Sequence, residues 1–321
     1  MPNNGFEGIG DDCAVLPIGN GEALVFTSDM LNEEIHFLTD KSSAFQIGYK
    51  SLMVNISDVA AMGAKPVATM LSLALPKERF GDWSAEFMRG YKKASKKYGV
   101  ALMEAMKSTL SPNFRAVKDN LHRIGTPRRY FASFCQYSSR YDKFKEGVVL
   151  NAFRPELSNG AMMDIGVYTV YPLVALFGRP KSISAQGVVL SSGADGQGAV
   201  NMQYEGMNAT VLYSKIANSQ LPAEIQGEEG NILIDRIQTP VDVRFYARQA
   251  PASGHEKRIE GEALNLSDNH NEYYYEVVEF IDMILEGRTQ SKVNSHDTSL
   301  ATMEIIDEVR RQLGVHYPAD E

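Results

Sequence analysis

The chain has 321 residues, 44% of them hydrophobic and 22% charged, enough apolar material for a sizeable core and for about two domains. A net charge of −8 argues against nonspecific nucleic-acid binding, which needs clustered Lys and Arg against phosphate, and against a membrane-surface role. No run of eighteen apolar residues occurs, and Met1-Pro2-Asn3-Asn4 lacks the basic and apolar pattern of a signal peptide, so a cytoplasmic protein with no membrane partner is expected.

Near the start, Gly8-Ile9-Gly10-Asp11-Asp12-Cys13 combines two glycines with two carboxylates. A dinucleotide pyrophosphate needs backbone N–H groups and little negative charge at such a turn, so without a cation this loop repels phosphate. Residues 24–28 predict a buried strand ending at Asp29, and residues 44–62 a helix with Ile47, Leu52, Val54, Ile56 and Val59 among its apolar positions. Asp58 falls in the last turn of that helix, where the dipole disfavours a carboxylate. A nearby Mg²⁺ bound through oxygen ligands would remove the conflict, and simple solvent exposure is the other reading. Residues 92–102 then predict a helix followed by a short strand.

Further on, Phe114, Val117, Leu121 and Ile124 recur at helical spacing until Gly125 and Pro127 stop the helix, and residues 128–137 predict a strand. After a loop at 155–159, Gly160-Ala161-Met162-Met163-Asp164-Ile165-Gly166-Val167-Tyr168 opens an apolar helix that Gly178 terminates. Its acid and phenol, four residues apart, can share one helical face and one proton path. The alternative is that Asp164 complements the helix dipole while Tyr168 is half-buried packing. From 182 to 246, β-rich segments separated by turns at 193–198, Glu205-Gly206 and Glu229-Gly230 imply a mainly antiparallel sheet. Residues 251–260 are polar and expected to be mobile, and two helices close the chain at 271–286 and 295–313, with Ser295 as N-cap and Gly314 as stop. Cys13 and Cys135 predict small buried hydrophobes rather than a disulfide or metal pair, and the six histidines show no zinc spacing.

Two resemblances divide the chain near Val100. Glu104-Ala105-Met106, Arg123-Ile124-Gly125-Thr126-Pro127, Asn151-Ala152-Phe153-Arg154-Pro155, the Asp164 segment and Ile225-Gln226-Gly227-Glu228-Glu229-Gly230 together resemble the C-terminal domain of the Gfo/Idh/MocA oxidoreductases. That resemblance implies catalytic roles for Asp164 and Tyr168, a substrate contact for Arg154, NAD or NADP as cofactor, a sugar or polyol as small-molecule substrate, and a homodimer through the sheet. The family's Gly-x-Gly-x-x-Gly turn and Glu-Lys-Pro segment do not occur in the sequence, so turnover by this chain is not expected.

The first hundred residues instead resemble the N-terminal part of thiamine-monophosphate kinase, a PurM-like ATP-using enzyme. The matching pieces are the Gly8 to Leu16 segment, Thr27-Ser28-Asp29-Met30-Leu31, Ile35-His36-Phe37 and the stretch from Val54 to Pro66. By that resemblance Asp11, Asp12, Asp29 and Asp58 hold Mg²⁺ bridging ATP phosphates, and His36 lies near the phosphate substrate. Glu34 stands where that family has glycine. The expected architecture is α+β: a partial PurM-like α/β segment over 1–100 joined to an open, mainly antiparallel sheet flanked by helices over 101–321. Three functions follow: a polyol oxidoreductase substrate domain, a Mg-ATP phosphotransferase, or a noncatalytic fusion.

Overall fold

A computed structural model of the chain describes residues 12–71, 73, 79, 81–101, 103–248, 260–266, 270–317 and 320. Asp11 and nearly all of the polar segment at 251–260 lie outside the described residues. The chain divides into two compact units, Met1–Leu102 with Met283–Thr289 and Ala319–Glu321, and Met103–Asp282 with Gln290–Pro318.

Unit 1 opens with an antiparallel hairpin of β1 (Ala14–Gly19) and β2 (Glu22–Phe26). Its turn, Asn20-Gly21, has φ of 55° and 75°, the left-handed pair that a tight two-residue hairpin requires. The strand expected to be buried over 24–28 is in fact only partly covered, with Phe26 46% exposed, because a two-stranded ribbon has no second layer on its outer face. Helix α1 (Ala44–Ala61) starts at a capping box in which Ser43 Oγ accepts from the Gln46 N–H and Gln46 Oε1 accepts from the Ser43 N–H. It packs on α2 (Asp82–Tyr98) so closely that a Cβ on Gly48 or Gly90 would collide with the facing backbone. Ile47, Leu52, Phe87, Tyr91 and Ala94 form the core between them.

Unit 2 is built on an eight-stranded open sheet. Its strands are β3 (Pro127–Cys135), β4 (Ser182–Val189), β5 (Asp195–Gln203), β6 (Asn208–Ser214), β7 (Ala223–Gly227), β8 (Gly230–Ile234), β9 (Val243–Ala247) and β10 (Glu262–Ala263), in the order β10-β9-β8-β7-β3-β6-β5-β4. All neighbouring pairs are antiparallel except β3 and β6, which run parallel. Period-two alternation sends Tyr130, Ala132, Val200, Met202, Ala209, Val211, Ile225, Ile232 and Ile234 to one buried face. Helices α4 (Pro112–Asn120), α6 (Val167–Phe177) and α8 (His296–Leu313) contribute Val117, Val170, Leu173, Ile305 and Val309 to the same core.

Two short helices, α3 (Lys107–Leu110) and α5 (Tyr141–Lys145), and α7 (Tyr274–Leu285) complete the set. Ser295 caps α8 by accepting from the Thr298 N–H, and Gly314 ends it at φ 69°, as the sequence implies. On the sheet's end strand β4, Gln312 accepts from the Ala185 N–H at 2.7 Å and donates to the Ile183 carbonyl at 2.9 Å. Those contacts occupy polar groups that an open edge would otherwise expose.

One stretch, Pro155–Phe177, is long and apolar enough to cross a membrane by length and composition, with mean hydropathy 1.4 over its most apolar window. More than half of that window is already buried, and Val170 and Leu173 are fully enclosed against the sheet, the pattern of a core helix. Cys13 is buried as expected, whereas Cys135, at the end of β3, is only half-buried.

Candidate functional site

The helix that carries Asp164 and Tyr168 begins under an unusual constraint. Asp195, the first residue of β5, is fully buried and its Oδ2 accepts from the Met162 N–H at 2.7 Å, supplying a partner that the helix start lacks. A Cβ on Gly160 would collide with Asp195 Oδ1, so the close approach requires glycine. Burial pushes the Asp195 carboxyl up, and the backbone N–H groups of Met162 and Ala161 only partly oppose this. The first turn, Met162–Gly166, is π-helical, with the Val167 N–H reaching back to the Met162 carbonyl, and α6 follows as far as Gly178 at φ 71°. Asp164 therefore sits in a widened turn and Tyr168 in the first turn of regular helix, rather than both in one uniform helix.

Around this pair the fold gathers two lysines. Lys215, directly after β6, has a side chain only 5% exposed, and its Nζ donates to Asp164 Oδ2 and to the Ala152 carbonyl at 3.3 Å. The same ammonium lies 5.5 Å from the centroid of the Phe153 ring, which packs with Tyr141 and Phe144. The Asp164 side chain is half exposed, and among the described residues no hydrogen bond reaches its Oδ1.

Lys107, the second lysine, opens α3 and pairs with Glu272 at 2.6 Å while lying 4.6 Å from the centroid of the Tyr273 ring. Buried Asn294 fixes this corner by donating to the Glu104 and Met106 carbonyls and accepting from Thr109 Oγ1. Tyr168 rests edge-on against Phe134. Burial raises its phenol above the ordinary tyrosine value; Lys107 opposes that rise, and the nearby Tyr273, Asp164 and Glu276 add to it. The phenol thus holds its proton throughout the neutral range.

The other expected residues are placed differently. Arg154 is exposed and pairs with Glu156 at 2.8 Å rather than with Asp164. In unit 1, Thr27 donates to Asp58 Oδ2 at 2.6 Å and the Asp29 N–H donates to Asn55 Oδ1 at 3.0 Å, so the Asp29 loop and the end of α1 meet. Asp12 is exposed, Asp11 lies outside the described residues, and no three His, Cys, Asp or Glu side chains among the described residues form a metal-holding group. The described acids therefore do not by themselves fit a Mg²⁺ site. Exposed His36 accepts from the Asn32 N–H through Nδ1, and Lys50 donates to its carbonyl. Glu34 takes φ 67°, the conformation that glycine adopts without strain.

Sequence reasoning missed Lys215, Lys107 and Asp195. Lys215 follows an apolar strand and Asp195 follows a glycine turn, positions that ordinarily face water, so neither carried a signal.

Fold and site together define an α+β protein whose open sheet is covered on one face by a helix bearing an acid and a phenol. Residues 114–233 match the family described as GFO/IDH/MocA C-terminal domain, and residues 10–108 match AIR synthase related protein, N-terminal domain. The scyllo-inositol 2-dehydrogenase (NADP(+)) IolU of Bacillus subtilis is 50% identical over 228 residues, covering 71% of this chain and 67% of that protein. A thiamine-monophosphate kinase of Buchnera aphidicola is 41% identical over 100 residues, 31% of this chain and 30% of its own length. Among solved structures, UDP-N-acetylglucosamine 3-dehydrogenase GnnA from Acidithiobacillus ferrooxidans superposes with a TM-score of 0.58 at 13% identity, covering 85% of this chain and 77% of that one, a likeness of fold alone. The chain spans about two thirds of the length of its dehydrogenase relatives and about a third of its kinase relatives. It belongs to the Gfo/Idh/MocA family through its C-terminal part and carries a PurM-like segment, of the thiamine-monophosphate kinase kind, at its N-terminus.

Proposed function

We propose that unit 2 is the substrate domain of a polyol dehydrogenase of the inositol type, using NAD or NADP as hydride acceptor. The observation that carries this reading is the half-exposed Asp164, with one carboxylate oxygen tied to Lys215 and the other open, beside a phenol that keeps its proton. An open carboxylate oxygen accepts a hydrogen bond from a secondary hydroxyl and orients its carbon, while Tyr168 exchanges a proton with the reacting oxygen. Identity of 50% to the scyllo-inositol relative over 228 residues supports a polyol and NADP. Among the described residues of unit 1, the paired strands form an antiparallel hairpin and α1 has its first turn capped by Ser43, which does not fit a pyrophosphate cradle. Only the proton-handling half of the reaction is therefore assigned to residues of this chain.

The reading places the protein in the cytoplasm and pairs two copies through the polar open face of the sheet, where Glu224, Asn231, Leu233, Tyr246 and Arg248 line a recess of about 480 Å³. The test is calorimetric titration with scyllo-inositol. Binding that falls at least tenfold in Asp164→Asn is expected, and undetectable binding by the wild type, or wild-type affinity in Asp164→Asn, rejects the reading.

A second reading, Mg-ATP binding by unit 1, is favoured by the meeting of the Asp29 loop with Asp58. A thermal shift with Mg-ATP that Asp58→Asn abolishes would support it. Cooperative melting with no response to either ligand would mark a noncatalytic fusion.

A further inference from the structure

We propose that Lys215 is a positioning residue: it clamps one carboxylate oxygen of Asp164 and thereby aims the other at a substrate hydroxyl. The inference rests on the reading of Asp164 as the residue that meets the polyol. Lys215 emerges where β6 ends, and its backbone is held on both sides, by its own N–H to the Gly196 carbonyl at 2.8 Å and by the Ser138 N–H to its carbonyl at 2.8 Å. The stem is enclosed and the ammonium ends among Asp164 Oδ2, the Ala152 carbonyl and the Phe153 ring. Among the described residues Asp164 is the one carboxylate with which this ammonium pairs, and a lysine is rarely enclosed to this degree without a counter-charge.

The two partners are buried unequally, and that asymmetry indicates the role. Leaving half of the acid in water lowers the desolvation cost of the pair, and it also leaves one oxygen free while the other is fixed, the division that recognition of a hydroxyl needs. Asp164 has that division, with Oδ2 tied to Lys215 and Oδ1 without a hydrogen bond among the described residues. The widened π turn beneath it adds a second freedom, because the wider helical turn sets the side chain's angle of approach apart from that of the α-helical residues that follow. Without the ammonium, the carboxylate is free to rotate about its side-chain torsions, and the geometry of its open oxygen is lost before the fold is.

The experiment measures scyllo-inositol affinity by calorimetry and melting temperature for the wild type and for Lys215→Met, Lys215→Arg and Asp164→Asn. Lys215→Met is expected to weaken affinity at least tenfold, and Lys215→Arg, which keeps a charged donor, to return it to within about threefold of wild type while melting no higher than Lys215→Met. Rescue of affinity without rescue of stability separates positioning from cohesion. If Lys215→Met does not fold at 25 °C, Lys215→Gln, which keeps a donor and drops the charge, is expected to show the same loss. Wild-type affinity in a charge-removing variant while Asp164→Asn binds weakly, or failure of arginine to rescue, overturns the role of Lys215. Wild-type affinity in Asp164→Asn overturns the reading of Asp164 itself, and the proposal with it.

Discussion

Replacing Asp164 by alanine should destabilise unit 2 more than replacing its partner Lys215 by methionine, although the two changes break the same ion pair. The Lys215 side chain is 5% exposed and that of Asp164 is 50% exposed. Deleting the acid leaves an enclosed ammonium with a carbonyl at 3.3 Å and an aromatic ring at 5.5 Å, neither of which replaces a counter-charge. Breaking a buried pair on one side costs roughly 3–5 kcal/mol. Water entering at the half-open acid position and the higher helix propensity of alanine bring the expectation to about 3 kcal/mol. Deleting the lysine instead leaves a carboxylate that water already reaches, while methionine retains the packing of the stem, so about 1 kcal/mol is expected. For a unit of this size, 3 kcal/mol lowers the melting temperature by roughly 6–12 °C. Urea titrations of both single variants and the double variant measure the difference, and the double variant should recover stability relative to Asp164→Ala. Equal losses in the two single variants, or a double variant weaker than Asp164→Ala, would refute the burial asymmetry.

Asp195→Asn should change the pH dependence of stability. Because burial raises the folded-state value of this carboxyl above its unfolded value, its favourable contribution is complete below the unfolded value near 4 and is lost as pH rises through the folded value. Melting of the asparagine variant relative to wild type should therefore improve from pH 4 to pH 7, by about 1.4 kcal/mol for every tenfold gain in proton affinity that folding gives this carboxyl, and a constant difference would contradict this. Lys107→Met removes the charge that opposes the rise at Tyr168, so the phenolate signal lost in Tyr168→Phe should move to still higher pH, as read by ultraviolet difference titration. Glu34→Gly should stabilise unit 1 by a few tenths to about 1 kcal/mol, since φ 67° strains a residue with a Cβ, and a lower melting temperature would refute it.

Periodicity and end signals make much of the secondary structure legible. Helix α1 ends within a residue of its expected position, the stops at Gly178 and Gly314 fall where expected, and the alternating strands of unit 2 follow from their turn residues. The hairpin of β1 and β2 goes unrecognised although Asn20-Gly21 announces it, because the glycines and acids before it read as a loop motif. The parallel pairing of β3 with β6 is illegible for a different reason: strands joined across some seventy residues carry no local mark of direction. At the site, Asp164 and Tyr168 are visible through their spacing. Lys215 and Asp195 are not, since burial of a charge is a property of the assembled chain. The metal assignment draws on four acids by resemblance; of the described ones, Asp58 accepts from Thr27 and the Asp29 backbone N–H donates to Asn55, and no three metal-ligating side chains gather among the described residues.

The π-helical turn at Met162–Gly166 makes chain length a constraint separate from residue identity. Excising one residue there would let the segment relax into ordinary α-helix with its flanks nearly in phase, because the wide turn accommodates one extra residue, and the widened seat of Asp164 would be lost. Substitutions across this stretch are then tolerable where a single codon deletion is not, so an alignment gap here would signal lost geometry even between sequences that keep both the acid and the phenol.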